Sequence, residues 1–288
     1  MSKKEKMNVK QTKGEIFMET LFHYTNIEAL ALILKNQTIR LNSLDKMDDL
    51  EENMTKDLYN AGMFTYVSCW TSDKRENIAL WKQYTNHDTG VRIELPRNPF
   101  EKYDALELIK NERFRKILSE NPDIRTIFRL DKMLDSNYYT QDITGENILY
   151  EMEYTENEDE IIPQISSYSA LDKMTNINFK KLGKYKREAW KFQKEWRYII
   201  QFYPGNVLSV YKDNGMTLAN AMRDFMDGKV QQPFPYFDLK IDEHAFKKMK
   251  IVLSPTITAG NEILIRNAIE RYNPEAEIFE SAFKGKIR

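Results

Sequence analysis

The segment from Lys184 to Phe202, KYKREAWKFQKEWRYIIQF, holds the side chains best spaced to do chemistry. Its first half has a charged, aromatic-bearing helical spacing, and at Glu195 the pattern changes to a period of two. Trp196, Tyr198, Ile200 and Phe202 then share one face of a strand, with Glu195, Arg197, Ile199 and Gln201 on the other. The apolar face is expected to pack on the core. That sets a carboxylate and a guanidinium about 7 Å apart along the opposite face. A carboxylate held rigidly at the mouth of a cleft can stabilise positive charge that develops on a substrate. The plainer reading of the same two residues is a surface ion pair contributing about 0–1 kcal/mol.

Two other groups qualify. His23-Tyr24-Thr25 falls at a strand-to-helix junction, a common place for function. A buried histidine, a core tyrosine and a capping threonine explain the same letters. Ser68, Trp70, Thr71 and Ser72 gather at a strand end, where hydroxyls can bond a ribose or phosphate and the indole offers a stacking face. A turn with serine and Asp73 at its corner gives the same composition. Cys69 alternates to the side opposite Ser68 and Trp70 and reads as a small buried hydrophobe. Leu80, Trp81 and Tyr84 read as the core face of a short helix.

Bulk properties exclude several classes. Lys+Arg 43 against Asp+Glu 44 gives a net charge of -1, so the overall balance does not favour nucleic acid or an anionic membrane. Cys69 is the only cysteine, and His23, His87 and His244 lack zinc-ligand spacing. No Gly-rich dinucleotide or P-loop run and no HExxH occurs. With no long apolar run and no apolar leader, a soluble, cytoplasmic chain without structural metal or membrane association is expected.

The elements that must position these residues follow from periodicity. Residues 1–15 read as a polar tail and 16–288 as one α+β domain of mixed and antiparallel sheet. A strand at Leu21–Tyr24 leads into a helix capped by Thr25 and Glu28, with Ile27, Leu30, Ile33 and Leu34 on its inner face. A strand at 38–41 follows. An acidic loop then leads to a helix carrying Leu50, Met54 and Leu58, ended by Gly62. Strands are expected at 65–70 and 91–95, with a helix at 77–84 between them. Residues 100–182 read as a helical insertion holding one strand at 148–154. Beyond Phe202, strands are expected at 207–211, 236–241, 250–253 and 276–279, with helices at 217–226 and 260–272.

In order and spacing these motifs resemble a widespread, largely bacterial family catalogued only as a domain of unknown function. The resemblance runs from about Leu21 to Phe283. It rests on Phe22-His23-Tyr24-Thr25, Asp49 and Glu52, Ser68 to Ser72, Leu80-Trp81-x-x-Tyr84 and Gly90-Val91-Arg92-Ile93. It continues through Lys186-x-x-x-Trp190-x-x-Gln193-x-Glu195-x-Arg197 and ends with Lys250-Ile251-Val252-Leu253-Ser254-Pro255. Gln193 stands where the family usually has Glu. More distantly, the motif order is similar to that of the ADP-ribosyltransferases. In those enzymes a first-strand His or Arg holds the nicotinamide ribose or amide. A hydroxyl-bearing strand end braces the NAD site, and a late strand starts with a catalytic Glu that ends a Gln/Glu-x-Glu motif. This resemblance implies an ADP-ribosyltransferase-like fold that takes NAD as substrate without a metal. Glu195 would be the catalytic carboxylate, His23 the NAD anchor and Gln193 the residue that steers the acceptor. Tyr24, Ser68, Trp70, Thr71, Ser72 and Arg197 would complete the NAD site, with Tyr24 or Trp70 stacking on nicotinamide. The acceptor would be a protein or nucleic acid, or water in a glycohydrolase, in a toxin or phage-defence setting. Pairing of Arg197 with Glu195 would quench the carboxylate and favour a binding or sensing module instead. A metal-independent nuclease using His23 as base is a third reading.

Overall fold

A computed structural model describes residues 20–120, 123–134, 136–170, 174–206, 208–213 and 215–287. The tail expected at residues 1–15 lies outside them. Nine strands form one mixed sheet: β1 (Thr20–Asn26), β2 (Thr38–Ser43), β3 (Thr65–Thr71), β4 (Gly90–Pro96), β5 (Leu149–Glu151), β6 (Glu195–Gln201), β7 (Phe237–Lys240), β8 (Lys250–Leu253) and β9 (Glu277–Phe279). Their order is β7-β2-β3-β1-β4-β8-β9, and β6, then β5, attach to the other edge of β3. All pairings are antiparallel except β8 with β9. The longer helices are α1 (Ile27–Asn36), α2 (Ile78–Tyr84), α3 (Met216–Met226) and α4 (Ala259–Tyr272). Among the described residues no helix is long and apolar enough to cross a membrane.

The period-two pattern of β6 buries Tyr198, Ile200 and Phe202 in the main core with Tyr66, Trp70, Ile93 and Ile251. Its other face is not open to solvent. A second apolar cluster of Val67, Ile199, Phe64, Phe179 and Leu182 covers it, so Glu195 and Arg197 are buried as well. The expected exposed ion pair is therefore an internal one. The signal was Ile199, an apolar residue on the otherwise polar face.

Four local expectations give way to other structure. β1 runs on to Asn26, whose side chain accepts from Ala29 N–H and caps α1; Thr25 is a buried strand residue. No α-helix spans 50–58, where 3-10 turns stand instead. Leu50 is 70% exposed there, while Glu52 turns inward. The 100–182 region is not a helical insertion. Its helices are short (Ala105–Leu108, Glu112–Leu118, Leu130–Leu134, Glu158–Ile161), it forms a hairpin of Ser166–Ser169 with Met174–Ile177, and it contributes β5 to the sheet. Asp104 and Asn111 each start a new cap there, which breaks the apolar spacing into separate turns. The strand expected at 207–211 is replaced by a helix at Ser209–Asp213, set up by Asn206 accepting from Leu208 N–H; residue 207 lies outside the described residues.

Candidate active site

The site is built on a branch in the sheet. β6 pairs with β3 along seven residues of one edge. On the other edge β2 meets only the start of β3, at Val67 and Tyr66, and β1 meets only its end, at Thr71. Between them the strand edge at Ser68–Trp70 is open. Every backbone carbonyl there needs a partner, and His23 Nδ1 lies 2.7 Å from the Cys69 carbonyl oxygen. A carbonyl only accepts, so Nδ1 carries the proton and Nε2 keeps its lone pair. Burial lowers the His23 pKa from 6.5, against a smaller opposing effect of that hydrogen bond, so the ring is neutral at pH 7.

The gap between β1 and β2 opens into a cleft of about 430 Å³ that reaches His23, Ser68, Cys69, Lys186, Glu195 and Arg197. A smaller, apolar pocket of about 80 Å³ adjoins it, walled by Phe22, Tyr24, Trp70 and Leu80. His23, Cys69, Tyr84 and Glu195 line both. Together the two spaces fall in the size range of small-molecule sites.

At the floor lies a closed charge network. Arg197 donates from Nε to Glu195 Oε1 at 2.6 Å, from Nη2 to Glu52 Oε1 at 3.0 Å, and from Nη1 to Glu52 Oε2 and the Gly183 carbonyl. Lys186 Nζ donates to Glu195 Oε2 at 2.8 Å and to Gln193 Oε1 at 3.0 Å, and lies 3.1 Å from Glu52 Oε1. Two carboxylates thus face two cations, all at most 5% exposed. Burial alone would raise the Glu195 pKa; Arg197 and Lys186 outweigh it and hold the carboxyl below its usual range, so it is ionised at neutral pH. Burial likewise opposes the charge on Arg197, and Glu195 and Glu52 restore it. The network continues outward, Gln193 Nε2 donating to Tyr84 Oη at 2.6 Å and Tyr84 Oη to Asp48 Oδ2 at 3.2 Å.

Gln193 and Glu195 both reach Lys186 because the residue between them, Lys194, is left-handed at φ 45°. It ends a 3-10 helix, Glu188–Gln193, where an α-helical start was expected. Such a conformation costs a lysine on the order of 1–2 kcal/mol. Strain of this kind gathers at functional sites.

The expected site residues divide into three groups. His23, Ser68, Trp70, Gln193, Glu195 and Arg197 come together around the two cavities, with Tyr24 on the apolar wall. Of these, Ser68 accepts from Trp70 Nε1 at 3.0 Å, and Tyr24 packs edge-on against Trp81 while its hydroxyl accepts from Asn77 N–H. Thr71 lines the apolar pocket, but its hydroxyl donates to the Lys194 carbonyl at 3.0 Å and so fixes the strained turn. Ser72 is exposed and lines neither space.

Four site residues were missed. Lys186 and Glu52 stood in the quoted motifs without a role. Tyr84 had been placed in the core yet is 36% exposed and lines both cavities. Cys69 is half-buried; its thiol lies against Glu195, and burial, reinforced by that carboxylate, raises its pKa and keeps it neutral. Among the described residues no group of three or more His, Cys, Asp or Glu is placed to hold a metal.

Fold and site together define a protein of mixed α and β structure whose central strand branches to open a cleft onto a buried carboxylate. Residues 80–198 match the model of a family described as a protein of unknown function (DUF2971). That stretch, less than half the chain, carries Tyr84, Lys186, Gln193, Glu195 and Arg197 but not His23 or β3. No curated protein and no solved structure matches the chain.

Proposed function

We propose that the cleft binds NAD and cleaves its nicotinamide–ribose bond, passing ADP-ribose to a macromolecular acceptor or to water. The supporting observation is convergence: His23 from β1, Cys69 to Thr71 from β3 and Glu195 from β6 meet at one cleft, and His23, Thr71 and Glu195 hold the places that the ADP-ribosyltransferase resemblance assigns. In this reading the C1′–N1 bond breaks with its electron pair leaving on nicotinamide. The ribose passes through an oxocarbenium-like state, as in glycoside cleavage. Glu195, ionised and fixed by two donors, keeps free lone pairs for a ribose hydroxyl and stabilises the cation at contact range. His23 Nε2 accepts from a second hydroxyl, and the apolar pocket takes the nicotinamide ring. The acceptor then bonds to C1′ and releases its proton to water.

The test incubates the protein with labelled NAD and cell lysate. Label transferred by the wild type and lost in Glu195→Gln and His23→Ala supports the reading, whereas equal labelling in all three refutes it. One observation favours a second reading. The Glu52, Glu195, Lys186 and Arg197 network is neutral overall, which limits the reach of the Glu195 charge and suits a binding or sensing module. That reading predicts NAD binding that survives Glu195→Gln, with no turnover in either form.

A further inference from the structure

Two arginines are buried in this molecule, and they differ. Arg197 has all three guanidinium nitrogens bonded. Arg92, on β4, is 5% exposed, and neither its Nε–H nor its Nη1–H has a partner among the described residues. Only Nη2 is engaged, donating to the Lys74 carbonyl at 3.0 Å. A guanidinium does not shed its charge in proteins. Buried charges are otherwise paired, because an unpaired one is among the costliest groups to keep in an interior.

The surroundings do not supply a counter-charge. The guanidinium carbon sits 4.1 Å from the Phe22 ring centre and 5.8 Å from that of Tyr24, and both rings wall the apolar pocket. Above it runs segment 72–77, SDKREN, in which Ser72, Lys74 and Arg75 are exposed. The acids of that segment are already engaged: Asp73 with Lys194 and Arg75, and Glu76 with Trp81, Ser281 and Ala282. Lys74, Arg75 and Arg92 together therefore leave an excess of positive charge beside the pocket.

We propose that Arg92 anchors a binding site for a diphosphate group, free or carried on a nucleotide, under segment 72–77 at the edge of the apolar pocket. An anion is required, because a neutral acceptor would leave the charge uncompensated. The geometry of the free donors favours phosphate over carboxylate. Arg40 and Arg187 grip one carboxylate through Nε and Nη2, and Arg197 grips one through Nη1 and Nη2. In Arg92 the nitrogen common to both edges, Nη2, is held by Lys74, leaving one free donor on each edge. A flat carboxylate cannot bridge them, whereas the several oxygens of a diphosphate can reach around the fork. Entry displaces a single carbonyl contact on an exposed segment. The site stands on Arg92 alone and does not require that NAD be the substrate.

The test is thermal unfolding and calorimetry with millimolar sodium pyrophosphate, against chloride at matched ionic strength, and with ADP-ribose as the nucleotide-borne probe. The wild type is expected to gain thermal stability from pyrophosphate, from ADP-ribose or from both, which also tells the free from the carried source. Arg92→Met should bind the active probe about 30-fold more weakly or worse, yet unfold in anion-free buffer no earlier than the wild type, because it removes an uncompensated charge. An arginine with a purely structural role would instead lower that temperature. Lys74→Ala with Arg75→Ala, both at exposed positions, should weaken binding several-fold with folding intact. Glu195→Gln should leave the anion response unchanged, which separates this site from the NAD reading. No specific response in the wild type, or an equal response in Arg92→Met, overturns the proposal.

Discussion

Replacing Lys186 with methionine exposes the physics of the buried network. Lys186 is 1% exposed and supplies hydrogen bonds to Glu195 and Gln193 and a charge partner to Glu52. Methionine fills much of the same volume but leaves two buried carboxylates against the single Arg197 guanidinium. An uncompensated buried charge of this kind costs about 3–5 kcal/mol, a large part of the total stability of an ordinary domain. The loss should depend on pH. Without Lys186, desolvation pushes the Glu195 carboxyl up rather than down. A carboxyl whose folded pKa is raised adds stability at low pH that disappears as pH rises through that pKa. The wild type behaves oppositely, its depressed Glu195 losing stability as pH falls below 4.5. The gap between variant and wild type should therefore be widest near pH 7 and narrow toward pH 5, by at most about 1.4 kcal/mol per unit. Guanidinium unfolding followed by circular dichroism at several pH values measures it. A cost below about 1 kcal/mol that stays flat with pH, the behaviour of a screened surface pair, would refute the reasoning.

Other consequences are simpler to check. Because Lys194 is left-handed, Lys194→Gly should be more stable than Lys194→Ala by about 1 kcal/mol in denaturant titrations. Leu50→Ala should change stability by less than about 0.5 kcal/mol, since Leu50 is exposed on a 3-10 turn, whereas Leu80→Ala should cost about 2–5 kcal/mol. His23 has a pKa depressed by burial, so its contribution is complete above pH 6.5 and is lost as pH falls through the folded value. Acid unfolding should thus begin earlier in the wild type than in His23→Gln, as read by fluorescence between pH 7 and 5.

Much of the sheet was legible because alternation is local. The runs at 21–24, 38–41, 65–70, 91–95 and 250–253 all became strands within a residue or three of their expected ends. Helix α2 was legible for the same reason, with Asn77 as its cap. What escaped was decided over long range. Leu50, Met54 and Leu58 keep helical spacing, but Glu52 is drawn inward by Arg197, 145 residues along the chain, and a helix presenting the leucines inward would turn that acid out. The polar face of β6 looked solvent-facing because its cover, Phe179 and Leu182, comes from a stretch whose neighbours are lysines. His23 and Glu195 were singled out by residue type. That Lys186 and Glu52 complete the site required knowing that strand ends and turns converge on the open edge of β3.

The most direct measurement is nicotinamide release from NAD by the purified protein, followed chromatographically, for the wild type and Glu195→Gln. Saturable release that falls about 100-fold or more in the variant, with its circular dichroism spectrum unchanged, is the expected result. No release together with no heat of NAD binding, or release that ignores the substitution, would contradict the assignment of the cleft.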